Sequence, residues 1–335
     1  MLSFSIVIPC RNEEKYIKKC INSILIQNYP KDKIEILVCD GLSSDETVEI
    51  IENLGTKHPN VNLFHNKEQT TPFALNLGIE KSNNEVVIIL GAHSELDVNY
   101  MLNCDLEFQN NHNASCIGGV LENVYENKQS EIIGKAMSSP FGVGNAHFRT
   151  GEKSGFVDTV AFGAYKREVF DEVGLFDVEL ARNQDDEFNY RITVKGHKIY
   201  LSNMLKVKYY VRSSFKNLII QYYQYGYWKV FVNKKHRVIT SIRQLVPFVF
   251  VLFLFSLPVW LVINVQLVYF VVLALYFTIA TVYAIRKSSK SHEIPKVVTI
   301  FFLLHTSYGM GYVEGIINFF ILFRKPRLSS KKNSR

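Results

Sequence analysis

Residues 85–97, EVVIILGAHSELD, decide how the chain reads. Val86 to Leu90 is an unbroken apolar run rich in β-branched residues. Such runs form strands buried on both faces, as in the middle of a parallel sheet. The run stops at Gly91-Ala92-His93, and Glu95 and Asp97 follow. In open α/β sheets ligands bind beyond the carboxyl ends of the strands, so His93, Glu95 and Asp97 stand where chemistry is usually done. Taken alone, the same stretch also reads as a strand end followed by a solvated loop.

Upstream, strand and helix alternate. Phe4 to Pro9 reads as a strand, followed by helical spacing through Tyr16, Ile17, Cys20, Ile21, Ile24 and Leu25. Ile34 to Cys39 is a second strand running into Asp40-Gly41-Leu42-Ser43-Ser44-Asp45, where Ser43 or Ser44 is placed to cap a helix beginning at Asp45. Val61 to His65 is a third strand and Phe73 to Lys81 a helix. This order predicts a doubly wound α/β sheet, Rossmann-like and mostly parallel, with helices on both faces. Downstream, Tyr100 to Phe108 reads as a helix, Cys116 to Val124 as a strand, Gly134 to Gly155 as a glycine-rich loop and Val157 to Tyr165 as a strand. A helix from Arg167 to Val173, an acidic cluster at 182–191 entering another helix, and short strands at Ile199–Leu201 and Val207–Val211 complete this part.

The chain of 335 residues divides by composition. Residues 1–232 are ordinary globular sequence, whereas no charged residue occurs from Gln244 to Ile285. Leu245 to Ile263 and Leu267 to Ile285 are each long enough to cross a bilayer, with Asn264-Val265-Gln266 as the turn between them. Val297 to Phe323 is a third apolar segment, broken by His305 and Gly309-Met310-Gly311, and reads as re-entrant or interfacial. The surplus of basic residues flanks these segments: Lys234, Lys235, Arg237 and Arg243 before, Arg286, Lys287, Lys290 and Lys296 between, and the tail from Arg324 to Arg335 after. That placement fits the cytoplasmic side of a membrane rather than nucleic acid, and makes 233–335 a membrane region with a cytoplasmic tail. The five cysteines form no CxxC pair, disulfide framework or zinc spacing and read as small buried residues of a reducing compartment. The opening MLSFSIVIPC lacks the basic region and cleavage site of a signal peptide and reads as the first strand.

Three motifs then stand together: IVIPCRNEEKYI at 6–17, IEILVCDGLSSDETVEII at 34–51 and NQDDEFNYR at 183–191. The pattern resembles the family-2 glycosyltransferases with a GT-A fold, over roughly residues 3–230. SSPFGVGNAHFR (138–149), VDTVAFGAYKREVFDEVGLFD (157–177) and QYYQYGYWK (221–229) are similar to the succinoglycan-type glucosyltransferases of bacterial exopolysaccharide assembly.

The resemblance implies a nucleotide-sugar donor, UDP-linked, with Asp40 accepting the base N–H and Pro9, Arg11 and Glu13 lining the base and ribose pocket. Asp40 also reads as a plain turn residue, since Asp-Gly favours turns. The family neutralises the leaving diphosphate with Mn²⁺ or Mg²⁺ held by an Asp-x-Asp motif; here Gly91-Ala92-His93 takes that position, so Gly91 and Ala92 fall to the donor and His93 to the metal, with Glu95 as a substitute acid. The general base maps onto Asp185, beside Gln184 and Asp186 in the acceptor region. Glu187 and Arg191, one turn apart, read as a structural salt bridge. Gln221 and Trp228 sit where processive relatives carry Gln-x-x-Arg-Trp, and the aromatics around them read as sugar-stacking or as a membrane-interface belt. The implied activity is inverting transfer to a lipid-linked glycan, on the cytoplasmic face of a bacterial inner membrane, with membrane lipid and other polysaccharide-assembly proteins as partners. Two rival readings are a pseudo-transferase that senses nucleotide sugar or scaffolds a partner, and a polyprenyl-phosphate glycosyltransferase.

Overall fold

Four apolar runs become four parallel strands: β1 (Phe4–Cys10), β2 (Ile34–Asp40), β3 (Val61–His65) and β4 (Val86–Ile89). They lie in the order β3-β2-β1-β4 in a computed structural model that describes residues 1–144, 146–151, 154–211, 213–240 and 242–326. Helices Ile17–Leu25, Thr47–Gly55 and Thr71–Lys81 connect them. Phe4, Ile6, Ile8, Ile36, Val38 and Ile88 are wholly buried, which is why these runs carry no polar alternation.

The sheet does not continue as expected. It is mixed rather than mostly parallel. Beyond β4 come β5 (Ser94–Leu96), β6 (Ala114–Val124), β7 (Gly155–Val157), β8 (Ala164–Lys166) and β9 (Lys198–Tyr210), extending the order to β8-β6-β9-β5, with β7 also on β9. The pairs β4–β8, β6–β8, β5–β9 and β7–β9 are all antiparallel. β7 and β8 follow each other with no helix between them and take different partners, β7 on β9 and β8 between β4 and β6. The strand expected over Val157–Tyr165 is therefore two short strands, and the two expected at 199–201 and 207–211 are one. The bridge in β9 is polar: the Ser202 hydroxyl donates to Glu107 at 2.7 Å, and the Asn203 amide donates to Ser154 at 2.9 Å.

The chain packs as two compact units, residues 1–123 with 150–210, and residues 124–149 with 211–335. The first carries the sheet. The second is helical, built from Lys128–Met137, Phe215–His236, Val246–Phe255, Leu257–Val262, Gln266–Lys287 and Ile294–Ile316. Lys128–Met137 replaces part of the loop expected at 134–155; an Asn127 capping box starts it. The apolar stretch expected as one span at 245–263 breaks at Ser256, immediately before the Leu257-Pro258 start of a second helix. Among the described residues one helix, Gln266–Lys287, is long and apolar enough to cross a membrane. Ile294–Ile316 buries Val297, Ile300, Phe301 and Leu304. The end of the basic tail, 327–335, lies outside the described residues.

Candidate active site

The loops after β1 and β2 are bonded to each other residue by residue. The Asp40 carboxylate accepts from the Ser43 hydroxyl at 2.5 Å and from its amide at 3.0 Å. The Ser43 oxygen accepts the Asn12 amide at 2.8 Å, and Asn12 returns its side-chain oxygen to the Ser44 amide at 2.9 Å. One turn on, the Glu13 amide donates to the Thr47 hydroxyl at 2.7 Å, and that hydroxyl donates to Asp45 at 2.6 Å. Asn12 and Leu42 both take left-handed backbone at the two turns. Ser43 and Ser44 thus serve the turns, not the helix cap; the helix begins at Thr47, and Asp45 holds its first amide at 3.1 Å.

Asp40 has no exposed surface, and Ser43 engages both its oxygens. Direct capture of a base N–H by Asp40 requires the groups that bury it to open. Pro9 and Arg11 are half-buried on the adjoining strand end, and Glu13 is buried. Glu13 joins this cradle to the end of β4, its carboxylate 3.6 Å from Nδ1 of His93. The His93 ring lies 5.4 Å from that of Tyr209. Gly91 is half-buried and Ala92 is closed off. Glu95 accepts from the Tyr210 hydroxyl rather than standing free in a loop. Burial pushes the Cys10 and Cys20 thiols far up and Cys39 to about 12, so these free cysteines near the cradle are inert packing groups.

Gln184, Asp185 and Asp186 open the helix Gln184–Val194. Asn183 precedes them in left-handed backbone, a conformation asparagine tolerates. Asp185 is exposed and accepts the Asp186 amide at 2.9 Å. Four contacts order the helix beneath it. Tyr165 donates to Asn189 at 3.0 Å, Arg191 pairs with Glu187 at 2.8 Å as the spacing implied, and the same guanidinium donates to the carbonyls of Val173 and Leu175. Gln221 and Trp228 lie on helix Phe215–His236 of the second unit; Gln221 donates to Tyr225 at 2.7 Å, and Trp228 is wholly buried between Tyr227 and Phe231.

The side chains present do not compose a metal site. Gly91 offers no donor atom, Glu95 is taken by Tyr210, and among the described residues no three His, Cys, Asp or Glu side chains gather where a cation would sit. His93 with Glu13 is what remains at the end of β4.

Residues 5–174 match the profile described as Glycosyl transferase family 2. A dolichyl N-acetyl-α-D-glucosaminyl phosphate 3-β-D-2,3-diacetamido-2,3-dideoxy-β-D-glucuronosyltransferase of Methanococcus voltae is 32% identical over 93% of this chain and 97% of its own length. The succinoglycan biosynthesis protein ExoA of Rhizobium meliloti is 26% identical over 72% of this chain and 73% of its own. The mannosyltransferase PcManGT from Pyrobaculum calidifontis, solved with GDP-Man and Mn²⁺, shares the fold with a TM-score of 0.63 at 15% identity, over 94% of this chain and 87% of that one.

Proposed function

Since the chain belongs to glycosyl transferase family 2 and is a glycosyltransferase, we propose that it moves a sugar from a nucleotide donor onto a saccharide carried by a polyisoprenyl lipid. The observation that carries this reading is the helix Gln266–Lys287. Leu267, Phe270, Val271, Leu275, Val282 and Ile285 are all exposed on it, and it ends in Arg286 and Lys287. An apolar surface of that extent, closed by cations, suits a bilayer and anionic headgroups. The Methanococcus voltae relative, whose name gives a dolichyl-phosphate-linked sugar as acceptor, supports the same class of acceptor. Attachment falls to residues 233–335, with transfer on the cytoplasmic side, where nucleotide sugars are made.

In the transfer step the acceptor hydroxyl oxygen forms a bond to the anomeric carbon of the donor. The bond from that carbon to the diphosphate breaks, and the nucleoside diphosphate leaves. Asp185 takes the hydroxyl proton; it is the exposed carboxylate on a helix fixed by Asn189 and Arg191. Asp40, through Ser43 and Asn12, holds the loop that carries Arg11 and Glu13 to the donor.

Purified protein in vesicles, given radiolabelled nucleotide sugars and undecaprenyl- or dolichyl-diphosphate-linked N-acetylglucosamine, should label the lipid. Asp185→Asn should lower turnover by about 10²-fold or more with donor affinity kept. Near-normal turnover in that variant removes Asp185 as base. Donor binding by the wild type with no transfer to either lipid favours a sensor or scaffold.

A further inference from the structure

Gly91 is a glycine for a steric reason. A Cβ built on it would lie 2.9 Å from Cε1 and 3.1 Å from Cζ of Phe162. No side chain leaves position 91 unless that ring moves. The backbone that carries the ring is held in place. Phe162 has φ 51°, a backbone conformation that bulky residues adopt only where their surroundings impose it. Those surroundings are visible: the next carbonyl, of Gly163, accepts the Ile89 amide at 3.0 Å, and β8 then runs alongside β4. The Phe162 ring lies 6.4 Å from that of Tyr209, the ring that also meets His93. Phe162 and Gly91 both keep part of their surface open, at the carboxyl end of the central strand.

We infer that Gly91 and Phe162 form one coupled element of the donor site, in which the Phe162 ring stands where an acid at position 91 would reach and packs against a C–H face of the donor's sugar. The inference rests on the donor reading above and deepens it. A carboxylate at 91 would grip hydroxyls or a cation. An aromatic ring there offers a broad apolar face instead, with His93, Glu13 and the Ser94 hydroxyl as polar groups nearby. Selection among donors then turns on sugar shape at Phe162 and less on charge at 91.

The test is calorimetric titration of full-length protein in detergent with UDP-N-acetylglucosamine, UDP-glucuronic acid and GDP-mannose, each compared with its own UDP or GDP. Phe162→Leu keeps the bulk and removes the aromatic face; Phe162→Ala removes both. Both should bind the nucleoside diphosphate like the wild type and the nucleotide sugar about fivefold more weakly. Gly91→Asp alone should lower both affinities, and Gly91→Asp with Phe162→Ala should recover much of the loss, because the two residues share one volume. Mn²⁺ should strengthen donor binding more in that double variant than in the wild type. Leucine and alanine variants that bind nucleotide and nucleotide sugar as the wild type does, or that lose both equally, overturn the inference. So does strict additivity in the double variant. A wild type that binds none of the three nucleotide sugars overturns the donor reading itself, and this inference with it.

Discussion

The loops at the mouth of the sheet and the helices of the second unit are held together in different ways. At the mouth, Asp40, Ser43, Asn12, Thr47 and Asp45 bond to one another, so that nearly every hydroxyl both gives and takes. In the helical unit Lys135 with Glu131 and Glu293, and Asn233 with Tyr312 and Thr240, also form small clusters, but His305 is a lone bridge. Nε2 of His305 donates to the Phe141 carbonyl at 2.8 Å, and its Nδ1 meets the Tyr276 hydroxyl at 2.9 Å. A carbonyl can only accept, so Nε2 carries a proton. Elsewhere in that unit the helices meet backbone to backbone: a Cβ on Gly226 or on Gly311 would come 2.0 Å from the carbonyl oxygen of Tyr308 or Tyr223. The difference teaches where damage spreads. Loss of one partner in a network strips several others, loss of a lone bridge stays local, and a backbone contact fails by steric exclusion.

The largest effect should come from the backbone contact. Gly311→Ala puts a methyl against an oxygen that cannot rotate away, and should cost about 3 kcal/mol, read as a lower melting temperature in detergent. An alanine variant that melts like the wild type would show that the helices slide apart freely. Next comes the network. Asp40→Ala removes a buried charged acceptor and should cost about 2 kcal/mol in denaturant unfolding. Paired with Ser43→Ala it should show coupling of about 1 kcal/mol; additive losses would reduce the network to independent bonds. Smaller again is the lone bridge. His305→Leu leaves the Tyr276 hydroxyl and the Phe141 carbonyl unpaired, for about 1.5 kcal/mol, and adding Tyr276→Phe should return part of it. No recovery would mean that packing around Phe141, not the bridge, carries the stability.

The two regions were also unequally legible in the amino-acid sequence. The first four strands announce themselves as apolar runs between turn residues, because burial on both faces leaves no alternation to misread. The pairing of Glu187 with Arg191 follows from helical spacing alone. Contacts between distant positions did not show. Phe162 lies far along the chain from Gly91, and nothing in either motif signals that one ring fills the other's space. Gly134 suggested a loop, yet it sits inside a helix, where the Tyr125 ring occupies the room a side chain would need. Ser202 and Asn203 suggested a break between two strands, yet Glu107 and Ser154 bond them into one. In each case a residue that is permissive or polar locally is used by a partner that only the fold supplies.

The smallest effect probes the mouth of the sheet by pH. Asp45 is half-buried, and burial opposes its ionisation. Hydrogen bonds from the Thr47 hydroxyl and amide and from the Glu14 amide outweigh that and hold its carboxyl below the ordinary aspartate value. A carboxyl depressed in the folded state adds stability above its unfolded value, about 3.9, and that stability is lost as pH falls from there through the folded value. The wild type should therefore lose more melting temperature between pH 7 and pH 3 than Asp45→Asn does, since the amide cannot titrate. Other acids titrate over the same range in both proteins, so the readout is the difference between the two curves. Parallel curves would mean that Thr47 and Glu14 bond the amide as well as the carboxylate. The mouth of the sheet would then be held by hydrogen bonds that do not depend on charge.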